Sequence, residues 1–120
     1  MPEMQPSIDF ETFTRMDLRV ATITKAEHHP DADRLLKLQL DDGTETGRQV
    51  CAGIRKWYDD PSSLEGSQVV IVANLEPRVI RGERSEGMVL AGTAADAEGN
   101  VEDLSVLRID HPLPPGSRVS

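Results

Sequence analysis

Apolar residues along this chain fall at alternate positions or in short unbroken runs, and long stretches at helical spacing are missing. Residues 18–26 predict a first strand, with Thr22 and Thr24 adding β-branching. Residues 35–40 (LLKLQL) alternate in part and predict a second strand, closed by an Asp42-Gly43 hairpin turn. Residues 47–52 return as a third. The run 69–73 (VVIVA) is continuous and mostly β-branched, as a strand buried on both faces reads, and this fourth strand starts near Gln68. A turn-rich loop follows, and a fifth strand starts near Gly87. A polar hairpin-like region at 93–100 precedes an apolar segment at 104–109, and a proline-rich tail ends in a short extended piece.

Residues 1–9 are expected to form an N-terminal arm ahead of a single domain over residues 10–120. Asp9 is a helix N-cap candidate for residues 9–16, and Phe10 and Phe13 fall on one face of that helix, which assigns both to the core. Residues 28–33 form a turn whose side chains are expected to be solvated. Residues 53–66 read as irregular, with a helical turn around 54–57. Five short strands, little helix and no βαβ alternation predict an all-β fold, a small closed barrel. The five-stranded OB-fold fits the strand count, and an SH3-like barrel or a small sandwich satisfies the same periodicity.

Composition narrows the function classes. The chain of 120 residues carries 13 basic and 21 acidic side chains, a net charge of −8, which opposes nonspecific binding to a polyanion. The charge is segregated, however. Residues 47–58 hold Arg48, Arg55 and Lys56 and no carboxylate, while acids gather in turn-like segments at 31–33, 41–45, 59–60 and 96–103. This distribution suggests one weakly basic face on an acidic body. No apolar run reaches the roughly 20 residues of a membrane span. The N-terminal segment lacks the basic and apolar regions of a secretory signal, so a cytoplasmic location without membrane contact is expected. A single cysteine, Cys51, excludes an internal disulfide and a cysteine-rich zinc site.

The chemistry concentrates between the fourth and fifth strands. Arg78, Arg81 and Arg84 recur every three residues there, against Glu76 and Glu83. Arginine presents a planar fork suited to phosphate, so a loop built this way is expected to touch an anion. Other candidates read more plainly. His28 and His29 on a strand point to opposite faces and do not chelate one ion, so no metal site is expected. The segment around Ser85 is GxxSxG rather than the GxSxG of a nucleophile elbow, and no helix pattern follows. Cys51, between Val50 and Ala52, reads as a buried and inert thiol. Trp57 and Tyr58 could stack bases or cap the barrel, and packing is the reading adopted. So few aromatics argue against a platform for long single strands and favour structured RNA.

Five blocks resemble the tRNA-binding domain family. They are Asp17-Leu18-Arg19-Val20; residues 29–38, His-Pro-Asp-Ala-Asp-Arg-Leu-Leu-Lys-Leu; and residues 48–54, Arg-Gln-Val-Cys-Ala-Gly-Ile. Residues 70–77 with Arg81-Gly82, and then Ser85-Glu86-Gly87-Met88, complete the set. Order and spacing agree over roughly residues 10–119. The domain occurs in methionyl-tRNA synthetases, in free-standing dimeric tRNA-binding proteins, in cytokine-like synthetase-associated factors and in the secretion chaperone CsaA.

The resemblance implies an OB barrel without enzymatic activity or cofactor that docks tRNA by shape and backbone. It places RNA-facing residues at Arg34, Arg48, Asn74, Arg78, Arg81, Ser85 and Met88. It further implies a homodimer formed through residues 1–16 and 103–120, and association with a methionyl-tRNA synthetase. Alternatives in other classes are a CsaA-like chaperone that binds unfolded polypeptide and a protein–protein adaptor. The chain also departs from the family: Glu76 and Val79 stand where basic residues are common, and Ala21 replaces a glycine. The family's Tyr-Thr-Pro-Glu-Glu-Leu here reads Tyr58-Asp59-Asp60-Pro61-Ser62-Ser63-Leu64.

Overall fold

The computed structural model describes residues 3–120; the first two residues of the expected arm lie outside the described residues. Its architecture is an all-β, OB-like barrel organised around one long strand. Strand β1 (Leu18–His28) bonds β4 (Gln68–Val72) along its first half and β2 (Leu36–Asp41) along its second. A register shift between Ile23 and Lys25 lets β1 bend from one partner to the other. Strand β3 (Arg48–Ala52) extends the sheet beyond β2, and β7 (Met88–Val89) extends it beyond β4, giving the order β3-β2-β1-β4-β7. At the chain's end, β10 (Arg118–Val119) pairs with Leu18 and Arg19 of β1.

The hydrophobic pattern explains the burial. On β2, Leu36, Leu38 and Leu40 point inward while Lys37 and Gln39 lie between core and solvent. They meet Ile23, Val50, Val69 and Ile71 in the barrel interior, with Leu64 packed into the same cluster. Leu64 closes a 3-10 turn (Pro61–Leu64) whose N-cap is Asp60. Strand β4 is buried on both faces, as its continuous apolar run predicts. Val69 and Ile71 enter the interior, and Val70 and Val72 join Leu18 in an outer layer covered by Phe13, Leu90, Ile109 and Val119. Tyr58 packs against the interior and its hydroxyl oxygen accepts from the Val106 N–H at 3.1 Å.

Several expectations need correction. Phe10 is 76% exposed rather than core. The helix α1 (Phe10–Thr14) is one short turn, capped by Asp9 as expected. Only Phe13 reaches the outer layer, while Phe10 leans on Phe13 with ring centroids 6.4 Å apart. The loop after β4 contains a hairpin, β5 (Arg78–Ile80) with β6 (Glu83–Ser85). The expected fifth strand divides into β7 and β8 (Ala91–Ala95), and β8 leaves the barrel to pair with β9 (Val101–Val106). Asp42-Gly43 begins a longer connection that returns at Arg48, instead of a two-residue turn. Cys51 is half-buried, and His29 is buried rather than solvated.

Candidate nucleic-acid interface

The β5–β6 hairpin turns through Arg81-Gly82, and both residues have positive φ, 50° and 87°. A two-residue loop of the I′ type requires this pair of conformations, and it matches the twist of the flanking strands. Glycine adopts such a backbone freely; arginine does so at a cost of about 1 kcal/mol. The strain places the Arg81 side chain at the tip of a tight ribbon. Arg78 and Arg84 lie behind it, and all three are exposed. Among the described residues, neither Arg78 nor Arg81 has a carboxylate within ion-pair distance, and Arg84 has only Glu86 at 3.8 Å.

The hairpin is fastened to the barrel by side chains from other elements. His29 Nε2 donates to the Ile80 carbonyl at 2.9 Å, and its Nδ1 accepts from the Asp31 N–H at 3.0 Å. A backbone N–H can only donate, so these partners assign the neutral ring with its proton on Nε2. Lys37 on β2 reaches Glu83 at 2.8 Å and Glu27 at 3.2 Å. Those two carboxylates, Glu83 foremost, raise the Lys37 pKa, and Lys37 in turn lowers that of Glu27. Gln49 on β3 donates from Nε2 to the Arg84 carbonyl at 2.9 Å, and its own carbonyl accepts from the Glu86 N–H at 2.8 Å. Sequence reasoning missed His29, Lys37 and Gln49 in this role. The Arg-Gly pair behind β-branched Val79 and Ile80 was the available signal for the hairpin.

The expected RNA-facing residues divide into two groups. Arg34, Arg78, Arg81 and Met88 are exposed, and Arg34 lies in the turn that His29 ties to the hairpin. Arg48 and Ser85 instead turn polar atoms into the molecule, and Asn74, although exposed, commits its amide to intramolecular bonds. Arg48 Nε pairs with Asp42 at 2.7 Å, and its Nη1 donates to the Ala73 and Glu86 carbonyls at 2.9 Å each. Burial pushes the Asp42 carboxyl up, but hydrogen bonds from Thr44 and Arg48 outweigh it and hold the pKa below the ordinary value. Asn74 accepts from the Asp17 N–H and donates to the Arg15 carbonyl, joining the end of β4 to the start of β1. Ser85 is 4% exposed, and its Oγ accepts from the Cys51 N–H at 2.9 Å.

The Arg48 and Ser85 bonds close the seam between β3 and the β6–β7 segment, and a groove runs along it. Its lining includes Cys51, Leu75, Arg78, Ser85 and Met88, around a volume of about 550 Å³. A shallower continuation passes Ile54, Val89 and Leu104. Leu75 and Met88 are 45% and 47% exposed and put apolar surface at the groove. Gly87 keeps the seam tight: a Cβ there would stand 2.8 Å from the Val72 carbonyl oxygen. Burial, and then the nearby Glu83 charge, raise the Cys51 pKa, which favours the protonated thiol. Among the described residues no group of histidine, cysteine and carboxylate side chains could hold a metal ion, and no helix is long and apolar enough to cross a membrane.

An OB-like barrel with a cationic hairpin beside a groove of mixed polar and apolar lining has the form of a binding module. The chain belongs to the tRNA binding domain family, whose model matches residues 18–118. The fold is similar to that of a MetRS-related protein from Pyrococcus horikoshii, with a TM-score of 0.81 and 29% identity over 97% of this chain and 100% of that one. It is also similar to the chaperone CsaA from Bacillus anthracis, at 0.79 and 36% identity over 96% and 100%. The C-terminal domain of Plasmodium vivax p43 matches at 0.78 and 32% identity over 88% of this chain and 60% of that one.

Proposed function

We propose that this chain docks structured tRNA, without catalysis, on the face made by the β5–β6 hairpin and the adjoining groove. The carrying observation is the presentation of Arg78 and Arg81, exposed and free of carboxylate partners, on a fastened ribbon in a chain of net charge −8. Arg34 adds a further cation, and Met88 offers a soft apolar surface to a base. Arg48 and Ser85 serve the interface by holding its seam in place, and exposed Asn74 joins the end of β4 to the start of β1 beside it. Dimerisation through the arm, α1 and the C-terminal segment would cover Ile8, Phe10, Leu107 and Leu113, which are exposed in the single chain. A dimer that sets two cationic faces on one tRNA gains avidity without new contacts. On this reading the module works in the cytoplasm, either free-standing or as an accessory to a methionyl-tRNA synthetase.

A titration with bulk tRNA over a potassium chloride series tests this reading. With about four phosphate contacts per protomer, the logarithm of affinity falls against the logarithm of salt with a slope of roughly −3. Reduced, unfolded protein added as competitor should leave that binding intact. The exposed Leu75 and Met88 favour a second reading, capture of unfolded polypeptide in the same groove. Salt-insensitive binding of the unfolded competitor, with no binding of tRNA, would replace the first reading with the second. Absence of both signals would leave the adaptor role.

A further inference from the structure

Glu76 does not fit a surface whose one task is to receive phosphates. Glu76 lines the same groove as Arg78 and Met88. Among the described residues no cation lies within ion-pair distance of it. The other walls differ in kind: Leu75 and Met88 are apolar, Arg78 is a cation, and Glu76 only accepts hydrogen bonds. The floor adds little, because the buried Ser85 hydroxyl is engaged with the Cys51 N–H. A ligand that satisfies these walls together is apolar on its flat faces, anionic at one end and rich in donors along one edge. An unstacked nucleotide has that form, and a groove of about 550 Å³ is within the usual range for a small ligand.

The donor pattern then selects the base. Guanine places N1–H and N2–H side by side on its Watson–Crick edge, which a carboxylate accepts in parallel. Adenine and cytosine set one amino group beside a ring acceptor, and that acceptor would face the second carboxylate oxygen. Uracil offers a single N–H between two carbonyls. We infer that this groove is a subsite for one unpaired guanine of an RNA strand. The ring lies against Leu75 and Met88, Glu76 accepts from N1–H and N2–H, and Arg78 holds the adjoining phosphate. The inference rests on the RNA-docking reading above and adds base selection to it. Arg81 at the hairpin tip adds a cation beyond the phosphate that Arg78 holds, which favours a strand over a free nucleotide.

The test uses labelled uridine heptamers with guanine, inosine, adenine or uracil at the centre, and the full chain with and without Glu76→Gln. Matched thermal melts establish that the variant is folded. The guanine heptamer should bind about tenfold tighter than the adenine one, the scale of a hydrogen bond to a charged group. Inosine, which keeps N1–H and lacks the amino group, should fall between them. Glu76→Gln should erase the ranking and tighten all the heptamers alike, the all-uridine one included, by up to about threefold, because it removes an anion beside the phosphates. Equal, salt-sensitive binding of all centres overturns the guanine subsite while the RNA reading stands. Binding of tRNA with no heptamer bound also overturns it, because the base is then not read unpaired. Guanosine monophosphate binding as tightly as the guanine heptamer overturns the strand in favour of a free nucleotide. Failure of every heptamer and of tRNA removes both readings together.

Discussion

Two antiparallel hairpins stand outside the main sheet, and they are alike in architecture and opposite in chemistry. The β5–β6 hairpin carries Arg78, Arg81 and Arg84, and its Glu83 is paired with Lys37. The β8–β9 hairpin carries Asp96, Glu98, Glu102 and Asp103 with no cation between Ala91 and Val106. Their fastenings differ as much as their charges. The tip of β8–β9 is tied from within, Asp96 Oδ1 accepting from the Glu98 and Asn100 N–H groups at 2.9 Å each. The β5–β6 ribbon is tied from outside, by His29, Lys37 and Gln49 of the barrel. Internal ties keep the tip folded, while β8–β9 is held to the barrel only near its base, where the Val106 N–H donates to Tyr58. External ties also fix where a hairpin's side chains stand, which is what a set of phosphates at fixed spacing requires.

Neutralising each hairpin in turn is the strongest way to break this contrast. Arg78→Ala with Arg81→Ala in one chain should weaken tRNA binding about a hundredfold at low salt, two charge-assisted contacts at roughly tenfold each. The salt slope should flatten by about two units. Glu98→Gln with Glu102→Gln on the acidic ribbon should change affinity by less than about threefold, through screened long-range attraction. Comparable effects from the two double variants would mean that net charge sets the affinity and the arginine hairpin has no special place. His29→Ala tests the external ties. It removes both hydrogen bonds of a ring that is 3% exposed, at about 2 kcal/mol in urea unfolding. Amide exchange should quicken across β5–β6 and stay unchanged in β8–β9. A uniform increase across both ribbons would show that His29 supports the whole barrel instead of one hairpin.

Much of the barrel is legible in the sequence because its signals are local. Alternation at Leu36, Leu38 and Leu40 specifies one inward face, and the unbroken Val69–Val72 run specifies two. The Asp9 cap was readable for the same reason, since its partner Thr12 is three residues away. The fastenings were hidden because their partners are distant in sequence: His29 and Ile80 are 51 residues apart, and Asn74 and Arg15 are 59 apart. The donors themselves carry no mark of which partner they will find. Arg48 has the same five N–H groups whether they meet a phosphate or the carbonyls of Ala73 and Glu86. Phe10 was misplaced for a related reason, because helical spacing fixes which residues share a face and says nothing of whether a five-residue helix buries that face.

Acid titration separates the two regions by a smaller effect. Asp42 holds Arg48, and Arg48 holds the Glu86 carbonyl where the chain leaves β6. The Asp42 pKa in the folded chain lies below its ordinary value of 3.8. Its contribution to stability is therefore complete above that value and is lost as pH falls through the lower, folded one. Between pH 5 and pH 2, Asp42→Asn should lose less stability than the parent chain, starting from a lower level. Parallel losses in the two proteins would mean that the Asp42–Arg48 pair is not a source of acid sensitivity. The β8–β9 tip offers no buried carboxylate of this kind, so exchange there should follow global unfolding over the same range.

The smallest expected effect bears most directly on why an arginine stands at a hairpin tip. The acidic ribbon already has glycine at a left-handed position of its loop, Gly99 with φ 86°, whereas the cationic ribbon has Arg81 at φ 50°. Arg81→Gly relieves about 1 kcal/mol of backbone strain, and the added freedom of the unfolded chain returns about half of it. The variant should therefore be more stable by roughly 0.5 kcal/mol, while its tRNA salt slope falls by about one unit. Gly99→Arg makes the reciprocal change on the other ribbon and should lose roughly 0.5 kcal/mol of stability, the strain less the unfolded-chain freedom it removes, without steepening the slope. Stability gained and binding lost at the same residue would mark Arg81 as a strained side chain retained for contact. Loss of both in Arg81→Gly would mean that arginine at this tip supports the hairpin, and the strain would then need no function to explain it.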